Sequence, residues 1–250
     1  MRLRTIATGL TAALCICLAV WFGLTRKQAH SSLQEAQYRF LRAAYVLQHI
    51  EPNAATEKLE FPPAVARDDT VNGLLHHTDK VFVLQDLAQE LEACTTTSPE
   101  ASLFAAYARL ALGQQVEAAR LLNDYVADAP YNPKHYALLC EALYNAGDYA
   151  LLYVTCLEWA ERAEDCRKDR ALFLWRALMH LERPEEAAQM ALQASPCLGS
   201  EAQVYAARAF LQAGKEAQAL ELVEGAAKAA PAERDKIFLL WDRLQLSSVF

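Results

Sequence analysis

The sequence is poor in glycine, with 8 in 250 residues, and none of them gather into a glycine-rich stretch. A loop that cradles phosphate through backbone N–H groups needs such a stretch, so Gly-x-x-x-x-Gly-Lys-Ser/Thr chemistry is excluded. Gly-x-Ser-x-Gly and His-Glu-x-x-His are missing too, which removes the serine-hydrolase turn and the zinc-protease helix. Basic charge is also scarce. Beyond residue 27 the chain holds 20 Lys+Arg against 31 Asp+Glu, a formal charge of −11 with His neutral. Nucleic-acid binding needs a basic footprint, so no nucleic-acid partner is expected.

Cysteine is present but does not fit a known pattern. Cys94, Cys140, Cys156, Cys166 and Cys197 are odd in number and widely spaced, giving neither a disulfide framework nor a zinc set. The count favours a reducing compartment, with cysteine acting as a small apolar filler. A Cys140–Cys156 bridge would suit an exported body, yet nothing in the sequence requires it. His76-His77 with Asp79 is the densest histidine group, but neighbours on a helix point about 100° apart and read as a solvated face. No catalytic set, cofactor or metal is expected, and the chain does not read as an enzyme.

Among the features present, the first is an apolar run. Ile6–Leu24 carries no charge over 19 residues, between Arg4 and Arg26-Lys27. As a helix it would be about 28 Å long, against a hydrocarbon core of about 30 Å. A basic start fits a cleaved signal peptide equally, but no small-x-small site precedes the polar stretch. The run is therefore expected to be an uncleaved single-pass anchor in the lipid bilayer, most simply the bacterial inner membrane. Cations flank it on both sides, so the side of the soluble domain stays open.

Past the run, Leu33, Tyr38, Leu41, Tyr45 and Ile50 keep a helical period up to Pro52. Pro52–Thr70 reads as a loop, mobile or in contact with something. A helix is expected over Val71–Cys94, and Ser98-Pro99 is a good N-cap and N1 pair for the next. From Pro99 to Pro231 the chain repeats itself. Gly147 follows Gly113 by 34 residues, and Gly214 follows Gly147 by 67. Segment Pro99–Asn132 supplies Ala106, Gly113, Ala118, Leu122, Tyr125 and Pro130; segment Ser200–Pro231 supplies Ala207, Gly214, Ala219, Val223, Ala226 and Pro231. Pro133–Cys166 keeps Gly147 but puts Cys140, Leu152, Cys156 and Trp159 at the other positions. The segment from Lys168 to about Pro196 has Ala187, Ala191 and Ala194, with Trp175 at a small position and Glu182 at the turn. A last helix over Ala232–Leu246 carries the stripe Ile237, Leu240, Trp241 and Leu244, and a band widened by Phe238 and Leu239.

These residues resemble the tetratricopeptide (TPR) family, strongly in the outer repeats and weakly in the middle ones. The resemblance implies an all-α, right-handed helical-repeat solenoid, here expected to follow an N-terminal single transmembrane helix. The expected divisions are 1–27 anchor, 28–98 helical stem and degenerate helix pair, 99–231 repeats, and 232–250 capping helix. In the family, the first helix of each repeat lines a concave groove. Carried over, the groove residues here are Leu103, Tyr107, Glu141, Tyr144, Arg176, Met179, Arg208 and Leu211, with His180 beside Arg176. A chaperone-tail clamp is disfavoured, because Leu103 and Tyr107 stand where Lys and Asn are needed. The function implied is a membrane-anchored scaffold that assembles a membrane or envelope complex, gripping an extended segment or helix of other proteins. The alternative is a permanent structural subunit of a larger membrane complex.

Overall fold

The computed structural model describes residues 32–163 and 166–246. Among them all regular structure is helical, and it divides into two compact units, Met1–Leu112 and Gly113–Phe250. The division falls inside the first sequence repeat.

The first unit starts with α1, residues 32–50. Its buried positions Phe40, Ala43, Ala44 and Leu47 recur at helical spacing and form one apolar face. They meet the buried faces of α4 (Lys80–Ala93) and α5 (Glu100–Ala111), with Phe40 edge-on to Phe104 at 5.9 Å. Arg42 binds Glu90 of α4 at 3.1 Å. The loop expected over Pro52–Thr70 is ordered against this core. It contains a 3₁₀ turn at Ala54–Thr56 and a single helical turn, α2 (Pro63–Ala66), and it buries Ala54 and Val65.

The helix expected over Val71–Cys94 is two helices. α3 (Asp69–Leu75) is capped by Asp68, whose carboxylate accepts from the Thr70 and Val71 amides and from the Tyr38 hydroxyl. Residues 76–79 break the run, and Asp79 starts α4 by accepting from the Phe82 amide at 3.1 Å. Aspartate competes for backbone donors and favours caps over helix interiors, which explains the break. Ser98 does not cap α5; its hydroxyl donates to Glu100 at 2.7 Å.

The second unit is a stack of helices, each packed on its neighbours: α6 (Gln115–Asp128), α7 (Pro133–Ala146), α8 (Tyr149–Arg162), α9 (Lys168–His180), α10 (Pro184–Gln193), α11 (Ser195–Leu198), α12 (Glu201–Gln212), α13 (Glu216–Ala229) and α14 (Arg234–Leu246). In addition, α7 touches α9 and α12 touches α14, so first helices of successive repeats also meet. This is the neighbour-only packing of a TPR-like solenoid. Ala187, Ala207 and Ala219 are fully buried at the helix contacts. The bulky exceptions are accommodated by polar ties. Trp175 reaches across to α12, donating from Nε1 to the Tyr205 carbonyl at 3.1 Å, and Trp159 donates to the Tyr131 hydroxyl while stacking on Tyr136. Cys140 and Cys156 face each other across α7 and α8 as free thiols, with Sγ atoms 3.8 Å apart. The hydrogen bond to Cys156, with burial, pushes the Cys140 thiol far up. Such a thiol packs and does not react.

Two expectations need correcting. Ile6–Leu24 lies outside the described residues, and among the described residues no helix is long and apolar enough to cross a membrane. The longest, α1, carries the charged Glu35, Arg39 and Arg42 along its length. The single transmembrane helix, the membrane-anchored scaffold, the lipid bilayer and membrane or envelope proteins as partners, and the inner-membrane location find no support among the described residues and are not carried further. The structure also contains a disulfide, Cys166–Cys197, with Cα atoms 5.4 Å apart and the two cysteines 31 positions apart in sequence. The two cysteines flank the third repeat at either end, a signal that overall spacing hides. Closing a loop of that length stabilises by roughly 3–4 kcal/mol on chain-entropy grounds.

Candidate functional site

The groove expected from the resemblance does not have all its residues at a surface. Leu103 and Tyr107, in the first unit, are buried, and the Tyr107 hydroxyl donates to Glu57 at 3.4 Å. Met179 is buried in the core of the second unit, and Leu211 packs against that core half-covered. Arg208 is committed to the end of the chain: its Nε donates to the Leu244 carbonyl at 2.9 Å, satisfying a last-turn acceptor of α14. Burial lowers its pKa.

The remaining residues, Glu141, Tyr144 and Arg176, reach solvent in the second unit. Arg176 and His180 are one turn apart on α9 and so share a face. The Arg176 guanidinium lies 5.2 Å from the centroid of the Tyr144 ring on α7 and 5.8 Å from that of Phe173. Among the described residues it makes no ion pair with a carboxylate. His180 stacks flat on Tyr149, with centroids 3.8 Å apart and planes 3° from parallel, and Tyr144 meets both rings edge-on. Burial lowers the pKa of His180.

Tyr149 was not among the residues carried over, because it begins a second helix. It joins the group because the turn at Gly147-Asp148 is tight. Gly147 takes φ 77°, and the Asp148 amide donates back to the Leu143 carbonyl at 3.1 Å, which sets the first residue of α8 beside the last turn of α7. The result is a cluster of three rings, Tyr144, Tyr149 and His180, drawn from three consecutive helices, with the Arg176 guanidinium against Tyr144 and Phe173. Burial pushes the hydroxyl of Tyr205 on α12 up, Glu201 adds to the rise, and Arg176 opposes it.

This arrangement suits binding. Among the described residues, no three His, Cys, Asp or Glu side chains gather as a metal site.

No family model matches the chain, and no curated protein sequence does either. Among solved structures it is similar to MamA AMB-1, at 21% identity over 63% of this chain and 94% of that one, with a TM-score of 0.45. It is also similar to YrrB, described as a TPR protein with an unusual peptide-binding site, at 15% identity over 65% and 84% of the two chains, TM-score 0.47. The TPR domain of P58(IPK) aligns at 12% identity over 84% of this chain and 68% of that one, TM-score 0.30. None of these scores reaches 0.5, and the reading of the fold rests on the chain's own helices.

Proposed function

We propose that the protein is a helical-repeat scaffold that recognises other proteins, with the face around Tyr144, Arg176 and His180 as its contact surface. One observation carries the reading: Arg176 is held against aromatic rings and, among the described residues, has no carboxylate of its own, so its N–H donors can serve a partner. Arginine and tyrosine are the side chains that most often dominate interfaces, each contributing on the order of 2 kcal/mol or more. Glu141, one turn before Tyr144 on α7, and Leu211 on α12 would border the contact. An extended segment or a helix of the partner fits such a face.

The test is the double variant Tyr144→Ala with Arg176→Ala, checked for unchanged helicity, in a crosslinking capture followed by calorimetry on whatever partner is recovered. Loss of at least tenfold in affinity is expected. A folded double variant with wild-type affinity removes this face from consideration.

A second reading, a permanent structural subunit of a larger assembly, is favoured by α8. Leu151, Val154 and Leu157, at spacings of three, are exposed to 37, 46 and 41%. Val116 of α6 is exposed to 65% and borders the same groove as Leu151. An apolar stripe of this kind is usually covered in the working state. Size analysis of the native protein separates the readings, since a stoichiometric, salt-resistant complex is expected only for the subunit.

A further inference from the structure

The Cys166–Cys197 bridge occupies a corner of the second unit that has little else to hold it. Cys166 lies in the link between α8 and α9, and Cys197 in the single turn α11. Beneath them is a small hydrophobic cluster of three buried residues, Ala171, Leu198 and Ala202, with Leu172, Ala194 and Tyr205 partly buried against it; Tyr205 also packs on the large cluster that runs from Trp175 to Trp241. One surface ion pair, Lys168 to Glu201 at 2.8 Å, also spans the corner. Exposed ion pairs contribute little, so the closed loop and this small cluster are the main ties of the corner.

The two sulfurs differ in access. Cys166 is exposed and lines an open cleft of about 560 Å³ with Arg167, Lys168, Asp169 and Leu172, whereas Cys197 is half-covered. Arg167 is matched by Asp169 through two hydrogen bonds of 3.2 and 3.1 Å, so exposure rather than a bare cation makes Cys166 the accessible sulfur.

We infer that Cys166–Cys197 is a site of thiol–disulfide exchange with a dithiol reductant, and that its reduction releases α11 and the first turn of α9 while the main core stays folded. The reductant's thiolate attacks Sγ of Cys166 from the cleft. The Cys166–Cys197 bond breaks, Cys197 leaves as a thiolate and takes a proton, and a mixed disulfide forms on Cys166. The reductant's second thiol, as its thiolate, displaces Cys166, which leaves as a thiolate and is protonated. Two electrons pass from the dithiol, which ends as a disulfide, and the protein gains two thiols. The free thiols Cys94, Cys140 and Cys156 are buried and take no part.

The experiment uses the full chain and dithiothreitol as the probe. Mass mapping without reductant should recover Cys166 joined to Cys197. With dithiothreitol under native conditions, iodoacetamide should label both Cys166 and Cys197, leaving the buried Cys140 and Cys156 unlabelled. Hydrogen exchange should then quicken at least tenfold over Lys168–Ala171 and Ser195–Gly199 and stay unchanged in α13. The double variant Cys166→Ser with Cys197→Ser should show the same exchange pattern without reductant. If the mapped bridge is absent, if it is reduced only at the rate of global unfolding, or if exchange in this corner does not change on reduction, the inference is wrong.

Discussion

Glu182 holds the same left-handed backbone as Gly147, with φ 58° against 77°. Each also closes its helix with the same two hydrogen bonds. At Gly147 they run from the Gly147 amide to Tyr144 O and from the Asp148 amide to Leu143 O; at Glu182 they run to Met179 O and, from Arg183, to Leu178 O. The chain thus forces a side chain into a turn that the other repeats give to glycine, where a Cβ is unfavourable by roughly 1–2 kcal/mol. Glu182→Gly is expected to stabilise the protein by on the order of 1 kcal/mol, part of the relief being lost to the freer unfolded chain. Glu182→Ala should bring no such gain. Urea titration of the three proteins decides it, and a destabilised glycine variant would show that the turn carries no strain.

Ala219 is fully buried where α13 meets α12. Ala219→Leu is expected to destabilise by roughly 1–3 kcal/mol, because added methylenes at a close helix contact force the backbone apart. An unchanged melting curve would mean that the contact has room and that the repeat register is misplaced.

His180 should make stability depend on pH near neutrality. Burial lowers its pKa in the folded protein, so between that value and the ordinary histidine value near 6.5 the unfolded chain binds more protons. The stabilisation is complete above the ordinary value and is lost as pH falls through the lowered one. His180→Phe keeps a ring on Tyr149 but cannot titrate. Its stability should be flatter than wild type between about pH 7 and 5 by chemical denaturation, and parallel curves would assign the dependence elsewhere.

Asp68 acts in a more acidic range. Burial pushes its carboxyl up, but hydrogen bonds from the Thr70 amide and side chain, the Tyr38 hydroxyl and the Val71 amide outweigh it, leaving the pKa below the usual carboxylate range. Its contribution is present above that range and disappears as pH falls through the lowered value. Asp68→Asn should therefore be less stable than wild type at neutral pH and should converge with it in acid. A gap that persisted at low pH would mean the loss is steric.

The sequence made the repeated helices of the second unit legible because their punctuation is local. Gly147 and Gly214, Pro133 and the buried alanines each act on their own turn, and those signals survive without tertiary knowledge. The proposed contact surface was only half legible. Tyr144 and Arg176 were placed on their helices by register alone, but register cannot say that Met179 is sealed in the core or that Arg208 is tied to the Leu244 carbonyl. Those facts depend on which helix arrives next. The same limit hid Tyr149, which reaches the site across a turn, and the Cys166–Cys197 bridge, whose ends are separated by two helices. The Asp79 cap that splits Val71–Cys94 was a local signal, outweighed by the apolar period around it.

Among the described residues, tryptophan occurs only in the second unit, as Trp159, Trp175 and Trp241, each of them buried. With Trp21, which lies outside the described residues, replaced by Phe, their emission becomes an optical gauge of Gly113–Phe250, while the described part of the first unit contributes only tyrosine and phenylalanine. Far-ultraviolet dichroism, by contrast, records the helices of both. Comparing the two signals on one denaturation series of Trp21→Phe tells, without any label, whether the two units melt together or one after the other.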